Sequence, residues 1–170
     1  EERDRDIPVL QIPDGAVKLF LRLGSDFKSN YYEFEVPLVM SRNPNLEGDA
    51  YKEELWRQEN NIKFALEDLT NLKIARNANG DPTELYSEIV TQIIDGVSVE
   101  RKFSIIGNPT LGYVRNVMIG VRNEAGDEFM SPYYGEVWVN ELRMVGLEER
   151  GGVAGLARLD ADLADLGSVG

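Results

Sequence analysis

Residues 17–40 read VKLFLRLGSDFKSNYYEFEVPLVM. Val17, Leu19, Leu21 and Leu23 recur at every second position, so a strand sets all four on one face. Gly24-Ser25-Asp26 and Lys28-Ser29-Asn30 are turn-forming residue types. Alternation then resumes, with Tyr32, Phe34 and Val36 set against Glu33 and Glu35. Two such runs joined by a turn predict an antiparallel hairpin. Pro37 has no N–H to donate, which predicts an edge or a bulge at that point.

Outward from the hairpin the chain stays β-rich. Ile89–Ile94 is rich in β-branched residues, Val97–Ile106 alternates around Val97, Val99 and Phe103, Val114–Val121 is a buried-looking run, and Glu136–Arg143 closes the set. About seven short strands, separated by Gly, Pro, Asn and Asp, predict a mainly β, antiparallel sandwich. Tyr51–Gln58 is predicted to form one or two helical turns carrying Leu55 and Trp56 inward. Phe64–Lys73, with apolar groups three apart, suits a short helix or 3₁₀ turn. Asn43–Asp49 reads as a loop and Asn77–Pro82 as a turn cluster. Tyr32, Phe34 and Trp138 are the aromatic candidates for the core.

Composition excludes several chemistries. With 170 residues, 42% of them apolar, one core with flanks is the expected organisation. The 18 basic and 30 acidic residues leave a net charge of −12, and no basic cluster offsets it, so nucleic acid is not an expected partner. Cys and His are both absent. That removes disulfides, thiolate nucleophiles, Cys/His zinc sites and Ser-His-Asp triads. No apolar run reaches the roughly 18 residues of a membrane-spanning helix, and none within the given residues reads as a signal peptide, so targeting signals are expected to lie outside them. The opening EERDRD and the ending at Ser168-Val169-Gly170 read as cuts from a longer protein.

Three candidate sites remain. Asn43, Asn45, Glu47, Gly48 and Glu54 fall at calcium-loop spacing, because calcium takes hard oxygens on a sharply turning chain; the competing reading is an ordinary polar loop. Glu33 with Glu35, or Asp160 with Asp162, could supply the paired carboxylates of a glycosidase, about 5 to 10 Å apart. The competing reading there is a solvated strand face. Tyr31, Tyr32, Trp56, Tyr113, Tyr133, Tyr134 and Trp138 could form a sugar-stacking platform or fill the core and its rim. No catalytic, cofactor-binding or metal-ligating residue is assigned, and no cofactor is expected.

Beyond Gly151-Gly152 the pattern changes. Ala157, Leu159, Ala161 and Leu163 alternate with Arg158, Asp160 and Asp162, as in a strand with lipid on one face and water on the other. Leu156, Leu159, Leu163 and Leu166 equally fit a helical stripe. Strand and helix both remain open for 153–166, as does disorder.

The phrases Ile105-Ile106-Gly107-Asn108-Pro109-Thr110-Leu111-Gly112, Val114–Asn123 (VRNVMIGVRN), Gly135–Arg143 (GEVWVNELR) and Gly151-Gly152 resemble the SprA/Sov family. Its members are outer-membrane translocons of the type IX secretion and gliding machinery of Bacteroidetes. Glu54-Leu55-Trp56, Asn60-Asn61-Ile62 and Leu66-Glu67-Asp68-Leu69 agree with it, while Gly152-Val153-Ala154-Gly155 departs from the aromatic expected after the glycine pair. The resemblance implies a non-enzymatic, jelly-roll-like β-sandwich domain carried by a giant outer-membrane β-barrel. Residues 1–6 are all charged and read as a solvated flank; the resemblance implies the sandwich over 7–150 and a linker with the start of a barrel strand over 151–170. Its implied partners are secreted cargo proteins, other outer-membrane secretion components and the rest of its own barrel chain. A carbohydrate-binding sandwich module, using Tyr31, Tyr113 or Tyr133, is the alternative reading.

Overall fold

The computed structural model describes residues 12–43, 45–94, 96–123 and 135–145. The chain divides after Tyr134 into two compact units. In the first, β1 (Val17–Gly24) and β2 (Tyr31–Pro37) form the expected hairpin. Helix α1 (Gly48–Leu55), a 3₁₀ turn at Gln58–Asn60 and helix α2 (Leu66–Asn79) follow. Then come β3 (Tyr86–Ile94), β4 (Val97–Ile106), a second 3₁₀ turn at Leu111–Tyr113 and β5 (Asn116–Asn123).

The five strands make one antiparallel sheet in the order β3-β4-β2-β1-β5. The protein is thus mainly β with two helices, layered as in a sandwich, and among the described residues the second layer is α2. Leu69, Leu72 and Arg76 form one buried stripe on that helix. The stripe packs on Tyr32, Phe34, Val36, Phe103 and Ile105, which pleating places on one face of β2 and β4. Phe64 stacks on Phe34 at 4.6 Å between ring centroids, and Phe103 meets Phe34 edge-on at 4.8 Å. Burial of this kind makes truncation of one of the leucines cost about 2–5 kcal/mol.

Helix α2 starts without a side-chain oxygen at Ala65. Asp68 ties the start from inside the first turn: its carboxylate takes the Ala65 N–H at 3.0 Å, while its own N–H bonds the Ala65 carbonyl. The helix runs three residues into the predicted Asn77–Pro82 turn, to Asn79, and Gly80 N–H still bonds the Arg76 carbonyl at 2.7 Å. Pro37 ends an inner strand instead of lying at an edge. Leu38 N–H bonds β1 at Val17, so by alternation the Pro37 nitrogen points to the β4 side, where pairing has already stopped at Glu35↔Lys102.

Two inward placements are corrected. Trp56 is exposed and Leu55 half-buried, since α1 buries no residue and docks through polar groups. In the second unit, residues 135–145 carry no strand, contrary to the expectation for Glu136–Arg143. Trp138 is 62% exposed there, not core, and its indole N–H bonds the Glu136 carboxylate at 3.1 Å. The predicted barrel-strand segment within 151–170, with Asp160 and Asp162, lies outside the described residues, as do Tyr133 and Tyr134.

Candidate functional site

The face of the sheet opposite α2 carries charge where a solvated strand was the competing expectation. Glu33 and Glu35 are 5% and 2% exposed. The hairpin register sets Arg22 across from Glu33 and Phe20 across from Glu35, and β5 brings Arg122 opposite Lys18. Arg22 donates Nε and Nη2 to Glu33 Oε2 at 2.9 and 2.5 Å. Arg122 bonds Glu35 and reaches Glu33 Oε1 at 3.2 Å, and Lys18 Nζ lies 3.4 Å from Glu35 Oε1. Three cations thus surround two carboxylates.

Aromatic rings fill the gaps between them. The Arg22 guanidinium sits 3.9 Å from the Tyr31 ring centroid, and that of Arg122 4.9 Å from Phe20. Phe20 lies so close over Gly120 that a Cβ there would come within 2.5 Å of its ring. These contacts bolt β2, β1 and β5 together in one register, since a one-residue slip would send every charge to the hydrophobic face. Guanidinium groups thus engage both oxygens of Glu33, and Arg122 and Lys18 engage those of Glu35.

Sequence reasoning singled out Glu33 and Glu35 and missed Lys18, Arg22 and Arg122. The signal was present: pairing Leu23 with Tyr32 in the predicted hairpin already sets Arg22 opposite Glu33.

The candidate calcium loop is held by Glu54 in another way. Its Oε1 accepts the N–H groups of Arg42 and Asn43 at 2.6 and 3.2 Å, and its Oε2 accepts from Arg57 at 2.5 Å. These hydrogen bonds, that of Arg42 first, hold its carboxyl below the usual range. Asn43 Oδ1 accepts the Asn45 N–H. Asn60 clasps the exit of β2, accepting Val39 N–H at 2.8 Å and donating to the Val39 carbonyl at 2.9 Å.

A third cluster secures the Gly107-Asn108-Pro109 turn. Arg76 donates to the Gly107 carbonyl at 2.7 Å, while Lys73 and the Tyr32 hydroxyl both donate to Pro109 O, at 2.7 and 3.2 Å. Burial, and then the Arg76 charge, hold the Lys73 ammonium below its ordinary value. Burial pushes the Tyr32 phenol up. From the other side Asn30 Oδ1 takes the Asn108 N–H at 3.0 Å.

Of the sugar-stacking candidates, Tyr31 is buried beneath Arg22 and Tyr32 lies in the core. Tyr113 is exposed, with the Arg115 guanidinium 4.5 Å over its ring. The arrangement does not assemble a shared aromatic platform from these three. Among the described residues no group of three acidic side chains is placed to hold a metal ion, and no helix is long and apolar enough to cross a membrane.

The sequence model of one family, SprA_N, described as motility related/secretion protein, matches residues 6–170. No curated protein and no solved structure matches the chain.

Proposed function

The chain belongs to the SprA_N family of motility-related and secretion proteins, and from that membership we propose that it is a structural, non-catalytic domain of a giant outer-membrane secretion channel. In this reading it contributes to export of cargo proteins and to gliding, beside other secretion components and the barrel of its own parent chain. The observation that carries the reading is the match across residues 6–170. The sheet chemistry supports it: Glu33 and Glu35 are committed to cations that hold strands together, and Glu54 is committed to its loop.

The test is an in-frame excision of residues 12–123 from the chromosomal gene. Parent protein in the envelope is followed by immunoblot, exported proteins in the medium by quantitative mass spectrometry, and spreading on agar by colony diameter. With the parent still present in the envelope, export and spreading are expected to fall together. Unchanged export and spreading would overturn the proposal.

A further inference from the structure

Strand β4 is ten residues long, but β2 pairs only with its last five, Lys102–Ile106. Residues Val97–Arg101 are paired to β3 alone. The outer half of the β3–β4 hairpin therefore runs about 16 Å past the shared sheet, at roughly 3.3 Å per residue, as a two-stranded ribbon. Among the described residues β3 has no neighbour on its outer side.

That edge is built unlike a protected one. Ile89 and Ile93 lie on one face of the ribbon, 68% and 78% exposed, and Val90 and Val97 lie on the other, each 41% exposed. Exposed edges are ordinarily blunted by Lys, Pro or a bulge. Strand β3 has no Lys or Pro, and its register with β4 is unbroken over all nine residues. Two strands with apolar groups on both faces are marginal by themselves and gain stability from a further strand.

From Glu84 through the hairpin turn to Glu100 the charges have one sign, whereas β4 sets Arg101 and Lys102 across from Val90 and Ile89, Arg101 being buried with its guanidinium on the Glu59 carbonyl. Glu84 and Glu100 are exposed and Glu88 half-exposed, and no basic residue occurs from Glu84 to Glu100. The geometry points to β3 as the docking edge for an extended segment of another protein, which adds as a sixth strand. Its chemistry follows from the edge: β-branched or apolar side chains at alternate positions to meet Ile89 and Ile93, and Lys or Arg at its ends to meet Glu84, Glu88 and Glu100. Backbone hydrogen bonds would supply affinity and the alternate side chains selectivity.

This assigns a partner class to the proposed secretion domain, and the two fail separately. Loss of peptide binding with export still dependent on residues 12–123 would sink only the docking edge.

The probe is a fluorescein-labelled peptide, Lys-Thr-Ile-Thr-Ile-Thr-Val-Thr-Lys, titrated with the 170-residue chain and followed by anisotropy. Saturable binding is expected, weakened at least tenfold by Ile89→Lys or Ile93→Lys and unchanged by Ile74→Lys, which adds the same charge at an exposed site on α2. Replacing the terminal lysines of the peptide by glutamate, or methylating alternate backbone nitrogens, should weaken binding as strongly. Circular dichroism confirms that each variant is folded. No saturable binding, or equal binding by Ile93→Lys or by the N-methylated peptide, would overturn the proposal. So would sedimentation equilibrium showing self-association abolished by Ile93→Lys, since the occupant would then be a second copy of the chain.

Discussion

Arg22 closes Nε and Nη2 on a single oxygen of Glu33, at 2.9 and 2.5 Å, on a face of the sheet where the carboxylate is 5% exposed. Two ions have been taken out of water and returned to each other, which rarely adds net stability but makes loss of one partner expensive. The pair acts with Arg122, which bonds both Glu33 and Glu35.

Glu33→Leu should therefore destabilise the protein by about 3–5 kcal/mol, and Arg22→Met by a similar amount. The double variant should cost much less than the sum, because Arg122 keeps Glu35 and no charge is stranded. Urea unfolding of the four proteins measures the coupling. Additive losses would show that the pair is not the unit that matters.

The turn at Gly107 makes a sharper local prediction. Its φ is 73°, and a Cβ would fall 1.9 Å from the Ser29 carbonyl oxygen. Gly107→Ala should cost more than the roughly 1–2 kcal/mol of left-handed strain alone. Gly112→Ala is the control, since a Cβ there meets nothing closer than Thr110 Oγ1 at 3.8 Å, and a change within about 0.5 kcal/mol is expected. Equal shifts in thermal midpoint would refute the close approach.

Acid should remove a stabilising contribution of the β1–β2 turn. The N–H groups of Ser29 and Lys28 and the Asn30 amide hold the Asp26 carboxyl at about 2, below its ordinary 3.8. A folded value below the unfolded one means that the stabilisation is complete above the unfolded value. It is lost as pH falls from 3.8 towards about 2. Asp14, Glu54 and Asp81 are lowered too, so they add in the same direction. Urea midpoints taken from pH 6 to 2 should fall less steeply in Asp26→Ala than in the wild type; parallel curves would exclude Asp26 as a contributor.

How far the sequence spoke depended on the range of the contact. Period 2 over Val17–Leu23 and Tyr32–Val36 placed the hairpin, its inward face and the Tyr32 and Phe34 core, because neighbours along a strand carry that information. The same period marked Glu33 and Glu35 as outward, and there it failed. Outward means solvated only if nothing lies opposite, and Arg122 arrives from 87 residues away along the chain. Trp138 failed for the complementary reason. Val137-Trp138-Val139 has strand composition, but a strand exists only through a partner, and residues 135–145 have no strand pairing. The short reach of Asp68 to Ala65 was readable in principle from the acidic residue in the first turn. The clasp of Asn60 on Val39 was not, since it joins residues 21 apart through a side chain.

Helix α2 supplies the last prediction. Arg76 is 1% exposed and spends Nη1 on the Gly107 carbonyl and Nε on Asn77, while Lys73, one turn earlier, holds Pro109. The two cations are close enough that Arg76 helps keep the Lys73 ammonium below its ordinary value, after burial itself. Replacing Arg76 by Met keeps most of the buried stem and removes both the charge and the hydrogen bond. The Gly107 carbonyl then loses its partner, at a cost of about 1–3 kcal/mol. The Lys73 value should move up towards 10.5, since only the second of its two causes is gone. Nitrogen-detected NMR titration of Lys73 in the wild type and in Arg76→Met reads that shift directly. An unmoved Lys73, in a variant still destabilised, would mean that Arg76 acts on the turn through its hydrogen bond alone and that its charge does not reach the neighbouring ammonium.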